Sequence, residues 1–149
     1  MKRDSVIKLT KYILDFMFFA GILVTVTLPL TVKWIGNCMP IYKDRYAELT
    51  ICYFVLGIGA LVILRELRRI FATVIKKDCF VRANVESLNK MFKWSIFIAI
   101  VSILRSFLYR TTALYVIILV FIIAGLFCKV LAYVFEEAVE YKEENDFTI

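Results

Sequence analysis

The chain has 149 residues, 62% of them hydrophobic and 21% charged, with a formal net charge of +6. That apolar share and a mean hydropathy of +0.80 exceed the roughly 45–50% apolar usage of a soluble domain and exclude an ordinary water-soluble fold. Histidine is absent, which removes the commonest general base and metal ligand, and no cofactor is expected.

Four apolar runs follow in chain order, over residues 12–32, 49–64, 92–108 and 113–134. Each approaches or reaches the ~17–25 residues that cross a bilayer as a helix. Backbone polar groups must pair internally in lipid, and the runs lack the alternation of barrel strands. The expected fold is therefore an all-α integral membrane protein, a single domain of four transmembrane helices in a bundle. Lys2, Arg3, Lys8 and Lys11 precede the first run as in a signal peptide. Its end, LPLTVKWIGN, carries no small-x-small cleavage pattern, so it reads as an uncleaved span.

Four spans return both termini to one side. Fourteen Lys and Arg flank that side and five (Lys33, Lys43, Arg45, Arg105, Arg110) the other, which places both termini in the cytoplasm and the chain in the cytoplasmic membrane. Trp34, Tyr42, Tyr46, Tyr109 and Tyr115 fall near the outer ends of the spans, and Tyr12, Trp94 and Tyr133 near the inner ends. The positive charge is then matched to anionic lipid on the cytoplasmic side, and direct nucleic-acid binding is not expected.

Inside the spans, Asp15, Lys93, Arg105 and Lys129 lie within one or two turns of span ends, where long side chains reach the headgroups. A transport path would instead hold charge at mid-bilayer. Thr25, Thr27 and Pro29 read as a kink near the outer end of the first span, or as a broken binding element. Ser95, Ala99, Ser102 and Ser106 share one face of the third span, and Gly57 and Ala60 offer a matching patch. Such surfaces allow close helix approach, within the monomer or in a homo-oligomer. Cys38, Cys52, Cys79 and Cys128 are too scattered to converge on a metal, although Cys38 and Cys52 are near enough for a disulfide. No phosphate loop, nucleophile elbow or catalytic carboxylate pair appears, so no enzymatic activity is expected.

Beyond the second span the helical pattern continues through Leu67, Ile70, Phe71 and Val74, with Arg65, Arg68 and Arg69 on the other side. After KKDC, the residues Val81, Val85, Leu88 and Phe92 recur at helical spacing. A basic cytoplasmic hairpin over 65–91 results, in which Asn84 reads as a helix N-cap or as a hook for another segment. The fourth span continues likewise into an acidic tail over 135–149, with a stripe of Leu131, Val134, Ala138 and Tyr141. Its carboxylates would be repelled by anionic lipid. Its charge is opposite to the hairpin's, so the tail is expected either to lie along the hairpin, with Phe135 and Tyr141 in the contact, or to remain a solvated end.

The stretches KKDCFVRANVESLNKMF and KVLAYVFEEAVEYKEENDFTI resemble a bacterial family of small four-span membrane proteins catalogued as a domain of unknown function. Phe80, Asn84, Val85 and Leu88 match its motif before the third span, and Asp146, Thr148 and Ile149 its terminal Asp-Leu-Thr-Ile. Cys79 stands where proline is usual and Phe147 where leucine is. The resemblance implies a cytoplasmic-membrane location and, because such proteins are often encoded beside a small helix-turn-helix repressor, a regulatory partnership with a DNA-binding protein. The leading functional expectation is a non-enzymatic membrane regulator of a small cytoplasmic partner. Two alternatives stand beside it: a small oligomeric transport or channel component, and an immunity protein against a membrane-active peptide.

Overall fold

This computed structural model describes residues 3–38 and 44–148, most of them in four helices. Lys2, Tyr42, Lys43 and Ile149, all used in the sequence argument, lie outside the described residues. The helices are α1 (Arg3–Cys38), α2 (Tyr46–Ile75), α3 (Arg82–Leu108) and α4 (Thr112–Phe147). All four are long and apolar enough to cross a membrane, and there are no strands among the described residues. At 36 residues each, α1 and α4 run about 54 Å, more than the roughly 40–45 Å of a bilayer with its headgroups. Helices therefore project beyond the lipid, and the chain reverses at two ends: a hairpin end between α2 and α3, and a far end shared by the α1–α2 and α3–α4 connections.

Each helix packs on its chain neighbours, most extensively α3 on α4, while α1 and α4 stay at the edges. The interior reverses the pattern of a water-soluble protein. Large apolar side chains such as Phe16, Leu30, Leu119 and Phe127 face outward, whereas the largest of the fully buried side chains are Asn84, Ser87 and Ser102. Lipid solvates leucine as well as protein does, so small and polar groups gain most from helix contact. Along α3 the buried face runs through Asn84, Ser87, Met91, Ser95, Ile98 and Ser102, spaced at three or four residues.

The small residues of that face pack within the chain. A Cβ on Gly125 of α4 would meet Ser95 Cβ at 3.2 Å and Ile96 at 3.3 Å. Gly57 faces Thr25 of α1 and Gly59 faces Ile98. The expected match of the serine face with Gly57 is therefore corrected: Gly57 packs on α1, and the glycines that meet α3 are Gly59 of α2, at Ile98, and Gly125 of α4, at Ser95. Ser102 Oγ is buried with no hydrogen-bond partner. An unpaired buried hydroxyl costs about 1–3 kcal/mol, so Ser102→Ala is expected to raise the thermal unfolding midpoint in detergent.

Three of the four charges placed within the spans, Asp15, Arg105 and Lys129, are tied between helices, and Lys93 is exposed. Arg68 Nε donates to Asp15 Oδ1 at 2.6 Å, joining α2 to α1, with the guanidinium 4.5 Å from the Phe18 ring centre. Arg105 Nη2 donates to Tyr53 Oη at 2.8 Å, and Lys129 Nζ to Asn89 Oδ1 at 2.8 Å. The hydroxyls of Thr25 and Thr27 donate to carbonyls one turn back, and helix α1 runs on through Pro29, whose carbonyl accepts from Tyr46 Oη. All four cysteines, Cys38 and Cys52 included, are free thiols.

Candidate functional site

The turn after α2 is built by a left-handed residue. Lys77 has φ 58°, and the amides of Lys77 and Asp78 donate to the carbonyls of Val74 and Thr73 at 3.1 and 3.2 Å. This is the pattern that closes a helix C-terminus through one residue of positive φ. The chain then re-enters helix at Arg82, with Val81 as an N-cap that offers no side-chain bond. Asn84 lies inside the first turn and is not the cap. Its Nδ2 donates to Thr73 Oγ1 at 2.6 Å and to the Cys79 carbonyl at 2.7 Å. Both amide protons are used, and Asn84 is the hook that fixes the connection to α2.

The C-terminal turns of α4 lie on this hairpin. Arg82 grips Glu143 with two hydrogen bonds, Nε to Oε1 at 3.0 Å and Nη2 to Oε2 at 2.7 Å. Lys142 Nζ donates to Asp78 Oδ1 at 2.6 Å. Beneath them the Phe80 and Phe135 rings meet edge to face at 5.3 Å, and Val139 is buried. Phe135 also packs on the apolar cluster of Ile70, Leu88, Met91, Cys128 and Ala132. The contact face of the tail thus passes through Ala132, Phe135, Val139 and Glu143. Tyr141, at 63% exposure, and Val134 point away from it, so the stripe expected from Leu131 through Tyr141 is rotated by about one residue.

Of the motif residues, Leu88 is core, Asn84 is the hook, Phe80 stacks on the tail, and Val85 lines a shallow cleft with Arg82, Glu86, Glu136 and Val139. Asp146 and Thr148 are exposed; the Thr148 hydroxyl donates to the Glu144 carbonyl. Among the described residues, Glu143 is the one tail carboxylate in an ion pair. Glu137, Glu140 and Glu144 line one outward face with Tyr141. No three Cys, Asp or Glu side chains converge as metal ligands would among the described residues.

Sequence reasoning missed Glu66. It is 3% exposed, and its Oε2 accepts from Ser87 Oγ at 2.7 Å and from Arg69 Nη1 at 3.3 Å. It thus joins α2 to α3 just beneath the hairpin. A signal was available, because Gly59, Ile63, Glu66, Ile70 and Thr73 share one face at alternating spacings of four and three. An acid on such a face has to be partnered.

The clasp carries its own pH dependence. The hydrogen bonds from Arg82 hold the Glu143 carboxyl below the ordinary carboxylate range, and those same bonds raise the Arg82 guanidinium. The hydrogen bond to Asp78 raises the Lys142 ammonium. Stabilisation by Glu143 is complete above its ordinary titration range, about 4.3, and is lost as pH falls through its lowered folded value. Stabilisation by Lys142 is complete below about 10.4 and is lost as pH rises through its raised folded value. Protease accessibility of the tail is therefore expected to stay flat around neutrality and to rise at both acidic and strongly alkaline extremes.

A family model described as Protein of unknown function (DUF2975) matches residues 31–149, which includes all of the hairpin and tail. No curated protein and no solved structure matches the chain.

Proposed function

The chain belongs to the DUF2975 family, and from that premise we propose that it is a non-enzymatic regulator of the bacterial cytoplasmic membrane, with both termini in the cytoplasm and a small soluble partner at its hairpin and tail. The observation that carries the reading is the clasp between Arg82 and Glu143 over the Phe80–Phe135 contact. Its ion pairs are exposed and so are weak and salt-screened. Such a contact suits two states, because a partner that prefers the open or the closed arrangement shifts the balance by its differential affinity. The outward carboxylates Glu137, Glu140 and Glu144 favour a basic partner, and a small helix-turn-helix repressor held there would be kept from its operator.

Affinity capture from native membranes tests this, with the intact chain compared with one lacking residues 136–149. Recovery of the same small DNA-binding protein with the intact chain alone supports the regulator. If no such protein is recovered, and the purified chain in liposomes passes an ion or solute, the transport reading replaces it.

A further inference from the structure

At the hairpin end a cavity of about 540 Å³ opens between the first turns of α1 and the end of α2, lined by Asp4, Ile7, Lys8, Val74, Ile75, Lys77 and Cys79. Its chemistry is divided. Ile7, Val74 and Ile75 supply apolar walls, and Lys8 and Lys77 supply two ammonium groups. Neither lysine takes part in an ion pair among the described residues. Lys77 also occupies the left-handed position of the turn, where glycine is least costly, so this ammonium is kept at the cavity against the local backbone preference.

Depth follows from the antiparallel register of α1 and α2. Asp15 stands opposite Arg68, and seven residues further out, about 10 Å along the helices, the same register brings Lys8 opposite Ile75. The first apolar run starts at residue 12, one turn from Lys8. Headgroup layers occupy roughly 5–8 Å on each side of the hydrocarbon core, within reach of a lysine side chain. We propose that this cavity is a binding site for one anionic phospholipid, whose phosphate lies between Lys8 and Lys77 and whose acyl chains run down the apolar walls of α1 and α2. Asp4, at the rim, opposes the phosphate and limits the affinity.

The site is tested by native mass spectrometry of the full chain in detergent, titrated with phosphatidylglycerol, phosphatidylcholine or inorganic phosphate. Phosphatidylglycerol is expected to bind most tightly. Lys8→Gln combined with Lys77→Gly, which eases the turn, is expected to weaken it about 30-fold, at about fivefold for each ammonium beside an anionic lipid. Asp4→Asn is expected to strengthen binding, and Lys90→Gln with Lys93→Gln to leave it unchanged. An undiminished preference for phosphatidylglycerol in the double variant overturns the site. Inorganic phosphate bound as tightly as phosphatidylglycerol overturns the lipid assignment.

Discussion

Phe135→Asp is expected to lower the stability of the detergent-solubilised chain by about 3 kcal/mol, while Tyr141→Asp, six residues further on, changes it little. Phe135 packs on both Phe80 and the cluster of Ile70, Leu88 and Met91. Truncating a fully buried phenylalanine costs about 3–5 kcal/mol. Phe135 is half-buried, which reduces the packing loss, but a carboxylate there would also be set against the apolar Phe80, Ile70 and Leu88, with a desolvation cost. Tyr141 is exposed beside Glu137, Glu140 and Glu144, so an added charge meets water and only mild repulsion. Thermal unfolding of the two variants separates the cases. Equal losses from both would mean that the tail is rotated relative to the contacts described, and no loss from either would mean that it is not docked.

The second large effect is expected at Gly125. Gly125→Leu brings side-chain atoms against Ser95 Cβ and Ile96, where even a Cβ has only 3.2–3.3 Å. The Ile96 δ-methyl can turn aside, but Ser95 Cβ is fixed to the α3 backbone, so a side chain as large as leucine must push α3 and α4 apart. Overpacking costs typically 1–3 kcal/mol, and the α3–α4 contact is the most extensive in the bundle, so a loss at the upper end is expected. Ala124→Leu, one residue earlier on the exposed face, is the matched control and is expected to be neutral in the unfolding scan. Destabilisation by Ala124→Leu with Gly125→Leu tolerated would place the α3 contact on another face of α4.

What the sequence made legible, and what it hid, divides along one physical line. The existence of four helices, their order and the projection of α2, α3 and α4 beyond the apolar runs were readable, because a bilayer demands long uninterrupted apolar helices whatever packs inside. The rotation of each helix about its own axis was not. In water, apolar periodicity marks the buried face; in α4 nearly every residue from 113 to 134 is apolar, so the pattern has no phase. The stripe through Val134 and Tyr141 therefore missed the true face through Phe135 and Val139. Of the stripe Val81, Val85, Leu88 and Phe92 only Leu88 is buried, and it shares the buried face of α3 with the polar Asn84, Ser87, Ser95 and Ser102.

Charge was legible as a sum and illegible as pairs. Opposite net charges on hairpin and tail pointed to contact, yet the contact uses Glu143 and Lys142 and leaves Glu137, Glu140 and Glu144 outward. Arg68 and Arg69, counted for orientation, are partnered by Asp15 and Glu66. Asp15 is distant in sequence and only the register of α1 and α2 brings it to Arg68, whereas Glu66 lies one turn from Arg69 on the same helix. The motif residues illustrate both outcomes. Asn84 stood out by its motif and is a hook to Thr73 and Cys79, not a cap, whereas Glu66 carried no motif and forms the buried link to Ser87.

The docked tail is the centre of this account, and double electron–electron resonance tests it most directly, with spin labels at the exposed positions Lys90 and Glu144 in a background free of native cysteines. A single narrow distance distribution is predicted for the intact chain at neutral pH, broadening when Phe135→Asp is added or when the pH is lowered through the folded titration of Glu143. A broad distribution in the intact chain, indifferent to Phe135→Asp and to acid, would contradict the clasp and the regulatory reading built on it.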